Sequence, residues 1–246
     1  MEQRKVLCMV RGGSHSYGLN TPTSDIDFRG VFVNTDAEYL VGLKRDEVLV
    51  EQDEQRDTVL TEFRHALKLL RSANTQMVEL LFADTFESCS SFWKSVQHSR
   101  MHLVDGERLF KSLLGYMQSE LRLANGERTG KLGGKRKEAI DKYGFSPKNF
   151  VQLLRLAWAG RLYFKTGVFP VNIFKADRKY GELLMLIKTQ PARFTKEQLN
   201  EMVREAEDKL RVSFENRRVI TVFDEDLATY LCLNLYGPLI AELPRV

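Results

Sequence analysis

Cysteine is scarce in this 246-residue chain: Cys8, Cys89 and Cys232 are the only three. An odd number of widely spaced cysteines excludes a disulfide framework, argues against a zinc site and fits a reducing, cytoplasmic compartment. Long apolar runs are also missing. None approaches the roughly 18 residues of a membrane helix, so no membrane partner is expected. Nor does a signal-peptide pattern open the chain, since Glu2, Arg4 and Lys5 precede only a short strand-like stretch. There is no low-complexity tract and no internal repeat, which excludes a repeat array. Net charge is small, with 37 Lys+Arg against 33 Asp+Glu.

What is present is ordinary globular composition. Apolar residues make up 43% and charged residues 28%, which excludes general disorder. The length suits one large domain or two small ones and buries a core without staples. Charge is unevenly spread. Between Asp36 and Asp57 there are eight acids and three bases, and between Arg122 and Lys148 eight bases and three acids. An acidic cluster near a basic stretch is what a metal-and-polyphosphate site needs. It is also what two solvated surfaces look like.

Short strands are expected at Lys5–Val10 and Ile26–Val33, with further candidates at Val48–Val50 and Val59–Leu60. Asn20–Ser24, with Pro22, marks a loop. From residue 61 the period becomes helical: Phe63, Ala66, Leu67, Leu69 and Leu70 form a stripe, Asn74 interrupts it, and Val78, Leu80, Leu81 and Phe82 continue it. Another helix is expected after Asp105, carrying Leu109, Leu113, Leu114 and Met117 on one face. Residues 125–137 contain four glycines and read as a mobile basic loop. Ser146-Pro147 predicts a helix start, with Gly167 beyond its end. Thr195-x-x-Gln198 is a capping box opening a late helix. Strands first and helices after is an α+β pattern: a small mixed sheet flanked by helices, then a helical C-terminal domain. The expected boundary separates residues 1–124 from 125–246.

The informative stretch runs from Val10 to Gly30. A strand ends in Gly12-Gly13-Ser14, and eleven residues beyond the serine Asp25-Ile26-Asp27 opens the next strand. On a strand, residues i and i+2 share a face about 6.5–7 Å apart, so the two carboxylates project side by side. Such a pair calls for a positive charge between them. Mg2+ suits it, being held by one or two carboxylates with water and phosphate oxygens completing its shell. Glycines let backbone amides approach a polyphosphate, and the Ser14 hydroxyl adds a donor. Each motif alone is weak, because turns and exposed strand ends are common. A serine hydrolase built on Ser14 and His15 is disfavoured, since Ser16 stands where Gly-x-Ser-x-Gly needs its last glycine. His98 and His102 have an i, i+4 spacing with no third ligand nearby, which leaves a zinc role unsupported.

A strand followed by Gly-Gly-Ser and then Asp-x-Asp resembles the DNA polymerase β-like nucleotidyltransferase superfamily. The fuller string from Gly13 to Gly30, Gly-Ser-His-Ser-Tyr-Gly-Leu through Ser-Asp-Ile-Asp-Phe-Arg-Gly, is similar to the RNA-repair-pathway branch of bacteria and phages. So are Phe63–Phe82, Lys148–Leu156 and the run from Thr166 to Val171. The resemblance implies transfer of a nucleoside monophosphate from an NTP such as ATP to an acceptor hydroxyl, with RNA a suitable acceptor. It implies two Mg2+ ions, with Mn2+ an acceptable substitute, held by Asp25, Asp27 and a third carboxylate. Asp57 and Glu62 compete for that third place. Asp57 is preferred because it sits on an expected strand, whereas Glu62 at a helix start has a structural use. Gly13, Ser14, Lys148 and Arg155 would contact the nucleotide, the last two sharing a helix face seven residues apart. Gln152 stands where the family has His, and Gln cannot titrate near neutrality. Arg29 is expected to pair with Asp27 or with an acid on the neighbouring strand. Tyr17 is expected either to stack on a base or to pack beneath the loop. The competing reading is a non-catalytic nucleotide- or RNA-binding module using the Arg128–Lys137 segment on phosphates.

Overall fold

A computed structural model describes residues 4–45, 47–52, 56–127 and 134–243. The chain divides into two compact units, one running up to Gly106 and resuming at Thr221, the other spanning Glu107–Ile220.

The first unit is built on a sheet of order β3-β4-β2-β1-β5. Its strands are β1 (Arg4–Arg11), β2 (Ile26–Asn34), β3 (Val48–Gln52), β4 (Arg56–Glu62) and the two-residue β5 (Ser88–Cys89). β1 and β2 are antiparallel, and a bulge between Val6 and Cys8 shifts their register. β2 and β4 are parallel, with Asp27 opposite Asp57 and Phe32 opposite Glu62. The helices of this unit are α1 (Gly13–Ser16), α2 (Ala37–Leu40), α3 (Phe63–Arg71), α4 (Thr75–Phe82) and α5 (Ser91–His98). The buried end of β2, from Gly30 to Asn34, packs under α3. Val31, Phe32, Val33, Phe63, Val78, Leu81, Trp93 and Val96 are all 0% exposed and form this core. Asn74 interrupts the helical stripe by capping α4, its side chain accepting from Met77 N.

The second unit is helical: α6 (Gly106–Ala124), α7 (Gly134–Tyr143), α8 (Pro147–Thr166), α9 (Ile173–Ala176), α10 (Arg178–Thr189) and α11 (Lys196–Glu215). α8 is its axis, with most of its side chains buried. A Cβ on Gly160 would overlap Leu113 of α6 and press on Leu210 of α11, so these two side chains close directly over the α8 backbone there. Phe110 stacks on Phe214 at 3.9 Å, and Phe164 lies edge-on to both. The Thr195–Gln198 capping box is present with both of its bonds. Gly167 ends α8 at a φ of 77°. Ser146 occupies the N-cap position, but its hydroxyl donates to Asn149 Oδ1 instead of capping. Asn149 in turn donates to Glu120 of α6.

Two expectations are corrected. Residues 134–137 open α7 and are not loop; Lys, Arg, Glu and Ala in succession are strong helix formers that outweigh the preceding glycines. The rest of that basic segment, residues 128–133, lies outside the described residues. A further helix, α12 (Glu225–Ala241), was not foreseen, because Gly237-Pro238 reads as a breaker. α12 belongs to the first unit. Its Tyr236 phenol donates to the buried Glu62 carboxylate, which also accepts from Arg64 N and His65 N at the start of α3. Arg64 lies 4.5 Å over the Tyr236 ring.

Gly160→Val forces a side chain into that closed crossing and should cost about 1–3 kcal/mol, read as a lower urea midpoint. Burial, and then the Glu62 charge, push the Tyr236 phenol well above its ordinary value. A pKa raised by folding gives stability that is whole below about pH 10, the unfolded value, and is lost as pH rises beyond it toward the folded one. The urea midpoint should therefore fall above that pH, and less steeply in Tyr236→Phe.

Candidate functional site

β1 delivers the chain to Gly12, whose N–H donates to Asp27 O at 2.7 Å and carries the β1–β2 pairing one residue further. Gly12 packs against the Arg29 side chain, where a Cβ would approach Arg29 Cγ to 2.8 Å. Gly13 has a φ of +57°, and a Cβ there would overlap Asp27 Oδ2. Both glycines are thus required by close approach to β2, and Gly13 by its backbone as well.

The loop that follows is tied down. Tyr17 donates to Glu79 Oε2 at 2.9 Å, fastening the α1 end to α4. The phenol is therefore anchored beneath the loop. Leu19 N donates to Ser14 O, the Leu19 side chain is buried, and Ser16 Oγ donates to Gly13 O. Glu79 was not foreseen as a functional anchor. The signal was there: a lone acid inside the buried run Met77–Phe82 demands a partner.

Asp25 is exposed just ahead of β2, and Asp27 is half-buried on it. Alternation places Asp27 and Arg29 on one sheet face, and the register sets Asp57 beside Asp27 on that face. Arg29 Nη2 reaches Asp57 Oδ2 at 2.9 Å, while Nη1 donates to the carbonyls of Phe28 and Asp57. Of the two partners expected for Arg29, the acid on the neighbouring strand is the one it takes. Glu62 lies five residues beyond Asp57, so alternation turns it to the opposite face. There it is 6% exposed and committed to Tyr236 and the α3 amides. Among the described residues, no three His, Cys, Asp or Glu side chains converge closely enough to hold a metal ion. Asp25 and Asp27 nevertheless offer a hard, all-oxygen pair, the donor type and number that Mg2+ takes from protein.

In the helical unit Lys148 is exposed at the start of α8, whereas Arg155 is 0% exposed. The two therefore do not present one solvated face. Arg155 Nε donates to Gln152 Oε1 at 3.1 Å, so Gln152 orients a buried guanidinium. Lys188 of α10 has its ammonium pKa pulled down by burial and by the charge of Lys148. Lys148 therefore has a second cation near it, which sequence spacing could not show. His98 Nδ1 lies 2.8 Å from Lys94 O, and His102 belongs to a separate 3-10 turn.

The family model of the RNA repair pathway DNA polymerase beta family (RlaP) matches residues 1–218. A search of curated proteins finds no match. Among solved structures, the crystal structure of a nucleotidyltransferase-like protein from Exiguobacterium sibiricum 255-15 is 14% identical. That similarity covers 99% of this chain and 76% of the other, with a TM-score of 0.29. The family match spans both the Gly12–Asp27 site and the α8 segment, and on it the chain belongs to the RNA repair pathway DNA polymerase beta family, a family of nucleotidyltransferases.

Proposed function

We propose that the protein transfers a nucleoside monophosphate from an NTP to the hydroxyl of an RNA end and releases pyrophosphate. The observation that supports this most is the placement of Asp27 beside Asp57 at the N-terminal ends of β2 and β4, with Asp25 just ahead of β2, against a turn stripped of side chains at Gly12 and Gly13. The family's connection with RNA repair favours RNA as the acceptor.

In the balanced reaction the acceptor oxygen bonds to the α-phosphorus, the bond to the pyrophosphate oxygen breaks, and the acceptor hydroxyl loses its proton. Asp25 and Asp27 would hold Mg2+, which when bound spreads the charge developing on the phosphate oxygens. Asp57 takes the acceptor proton in this reading, with Arg29 holding its carboxylate in place through the 2.9 Å contact to Oδ2. Gly13 and Ser14 offer the triphosphate a close approach to backbone and a hydroxyl. Lys148 supplies an exposed cation for phosphate, and Gln152 keeps Arg155 in its place. A glutamine suffices for such positioning, since only an acceptor oxygen is used.

Asp25→Asn and Asp27→Asn should each reduce Mg2+-dependent transfer of α-labelled NTP onto RNA to background. Retention of full activity by either variant excludes the mechanism. Asp57→Asn should lose about a hundredfold or more, whereas Glu62→Gln should lower stability before turnover. Gly13→Ala sets a methyl against the Asp27 carboxylate and strains the backbone. The expected result is lost transfer in a protein that still melts cooperatively, about 1 kcal/mol or more less stable.

A further inference from the structure

A groove of about 300 Å3 opens within the helical unit between α8, α10 and α11. Its floor is apolar, with Leu154, Ala157, Leu183, Met202 and Ala206. One wall is aromatic: Trp158 and Tyr180 stack with centroids 5.6 Å apart and planes 18° from parallel. The Tyr180 phenol donates to Leu154 O, which locks that wall in place.

Polar groups around the groove have partners, and one donor atom does not. Lys209 pairs with Glu205 at 2.9 Å along α11. Asp177 caps α10 by accepting from Tyr180 N. Arg161 remains. Its Nε is shut off from solvent and has no hydrogen-bond partner among the described residues. A buried donor left without an acceptor is costly, of order 1–3 kcal/mol. A planar guanidinium fork beside an apolar floor and a flat aromatic wall matches a ligand that joins an anion to a flat ring. One cation with an open donor suits one phosphate and leaves the charge of a triphosphate mostly unanswered, which separates this groove from an NTP site. The volume lies at the small end of ligand pockets.

We propose that this groove binds a single nucleotide unit, its phosphate on Arg161 and its base against the Trp158–Tyr180 pair. The proposal rests on the RNA-acceptor reading above and deepens it, giving the acceptor strand a holding point outside the carboxylate site. The same chemistry is offered by a free mononucleotide and by one residue of a single strand, and the test separates these.

The 246-residue protein is titrated in metal-free buffer with UMP and, separately, with a short single-stranded oligouridylate, following tryptophan fluorescence. The wild-type protein is then irradiated with 4-thio-UMP and with an oligouridylate carrying one 4-thiouridine, and the adducts are mapped by mass spectrometry. Saturable quenching is expected, with adducts on α8 or α10. Arg161→Gln should bind about tenfold or more weakly, the loss of one charge-assisted contact. Asp27→Asn should bind as the wild type does. Binding of both probes assigns the groove to any nucleotide, and binding of the oligomer alone assigns it to a strand. Either result supports the proposal. Absence of saturable binding, adducts only on other elements, or undiminished binding by a folded Arg161→Gln overturns it. If Arg161→Gln does not melt cooperatively, the wild-type adduct map decides. Transfer onto RNA without groove adducts sinks this inference and leaves the transferase reading intact. Groove adducts in a protein that transfers no label do the reverse.

Discussion

The parallel pairing of β2 with β4 is the constraint on which the first unit depends. Because Asp27 lies directly opposite Asp57, an acid from a second strand stands beside the Asp-x-Asp pair without any loop having to carry it. A slip of one residue would turn Asp57 to the other face and bring Thr58 in its place. The register is held where burial is heaviest, at Val31 and Phe32 beneath Phe63. It is also held by Arg29, which bridges from β2 to β4 through two acceptors, the Asp57 carbonyl and carboxylate. The same residue that pairs with the Asp57 carboxylate thus helps to keep the strands aligned.

The other half of the site is made by subtraction. Gly12 and Gly13 lack side chains because Arg29 and Asp27 fill the space a Cβ would take. The turn therefore presses backbone against the carboxylate-bearing strand. The loop beyond it is pinned by Tyr17 on Glu79. A site assembled from close backbone approach on a pinned loop is preorganised, and little conformational entropy remains to be lost on binding.

Much of the first unit was legible in the sequence. The strands at Lys5–Val10 and Ile26–Val33, the Asn74 break and the starts of α8 and α11 all announce themselves through short-range chemistry: alternation, caps and a proline at the first helical turn. The sheet order was not legible, because a parallel neighbour separated by some thirty residues leaves no local trace. Strand position favoured Asp57 over Glu62, and the helix start offered Glu62 a structural use, but the faces on which the two lie were not visible. Both are acids near a strand end, and only register and burial show that they face opposite ways. Arg155 misled for a similar reason. Seven-residue spacing places it on the Lys148 side of a helix, but whether a side is wet or dry depends on what packs there. α12 was hidden by Gly237-Pro238, whose helix-breaking tendency is overridden by tertiary packing around Tyr236.

The bond from Tyr236 to Glu62 joins residues 174 positions apart, and the whole helical unit lies between them in sequence. That has a consequence for the order in which the protein is made. The strand that carries Glu62 is translated before the helical unit, yet that buried carboxylate receives its phenol only when α12 has been translated after it. The helical unit, continuous in sequence, is complete before that moment and is free to fold as a piece. Of the two units, the sheet-bearing one is begun before the helical one and finished after it. A nascent chain halted anywhere before α12 presents the carboxylates of the site on a sheet that is not yet closed.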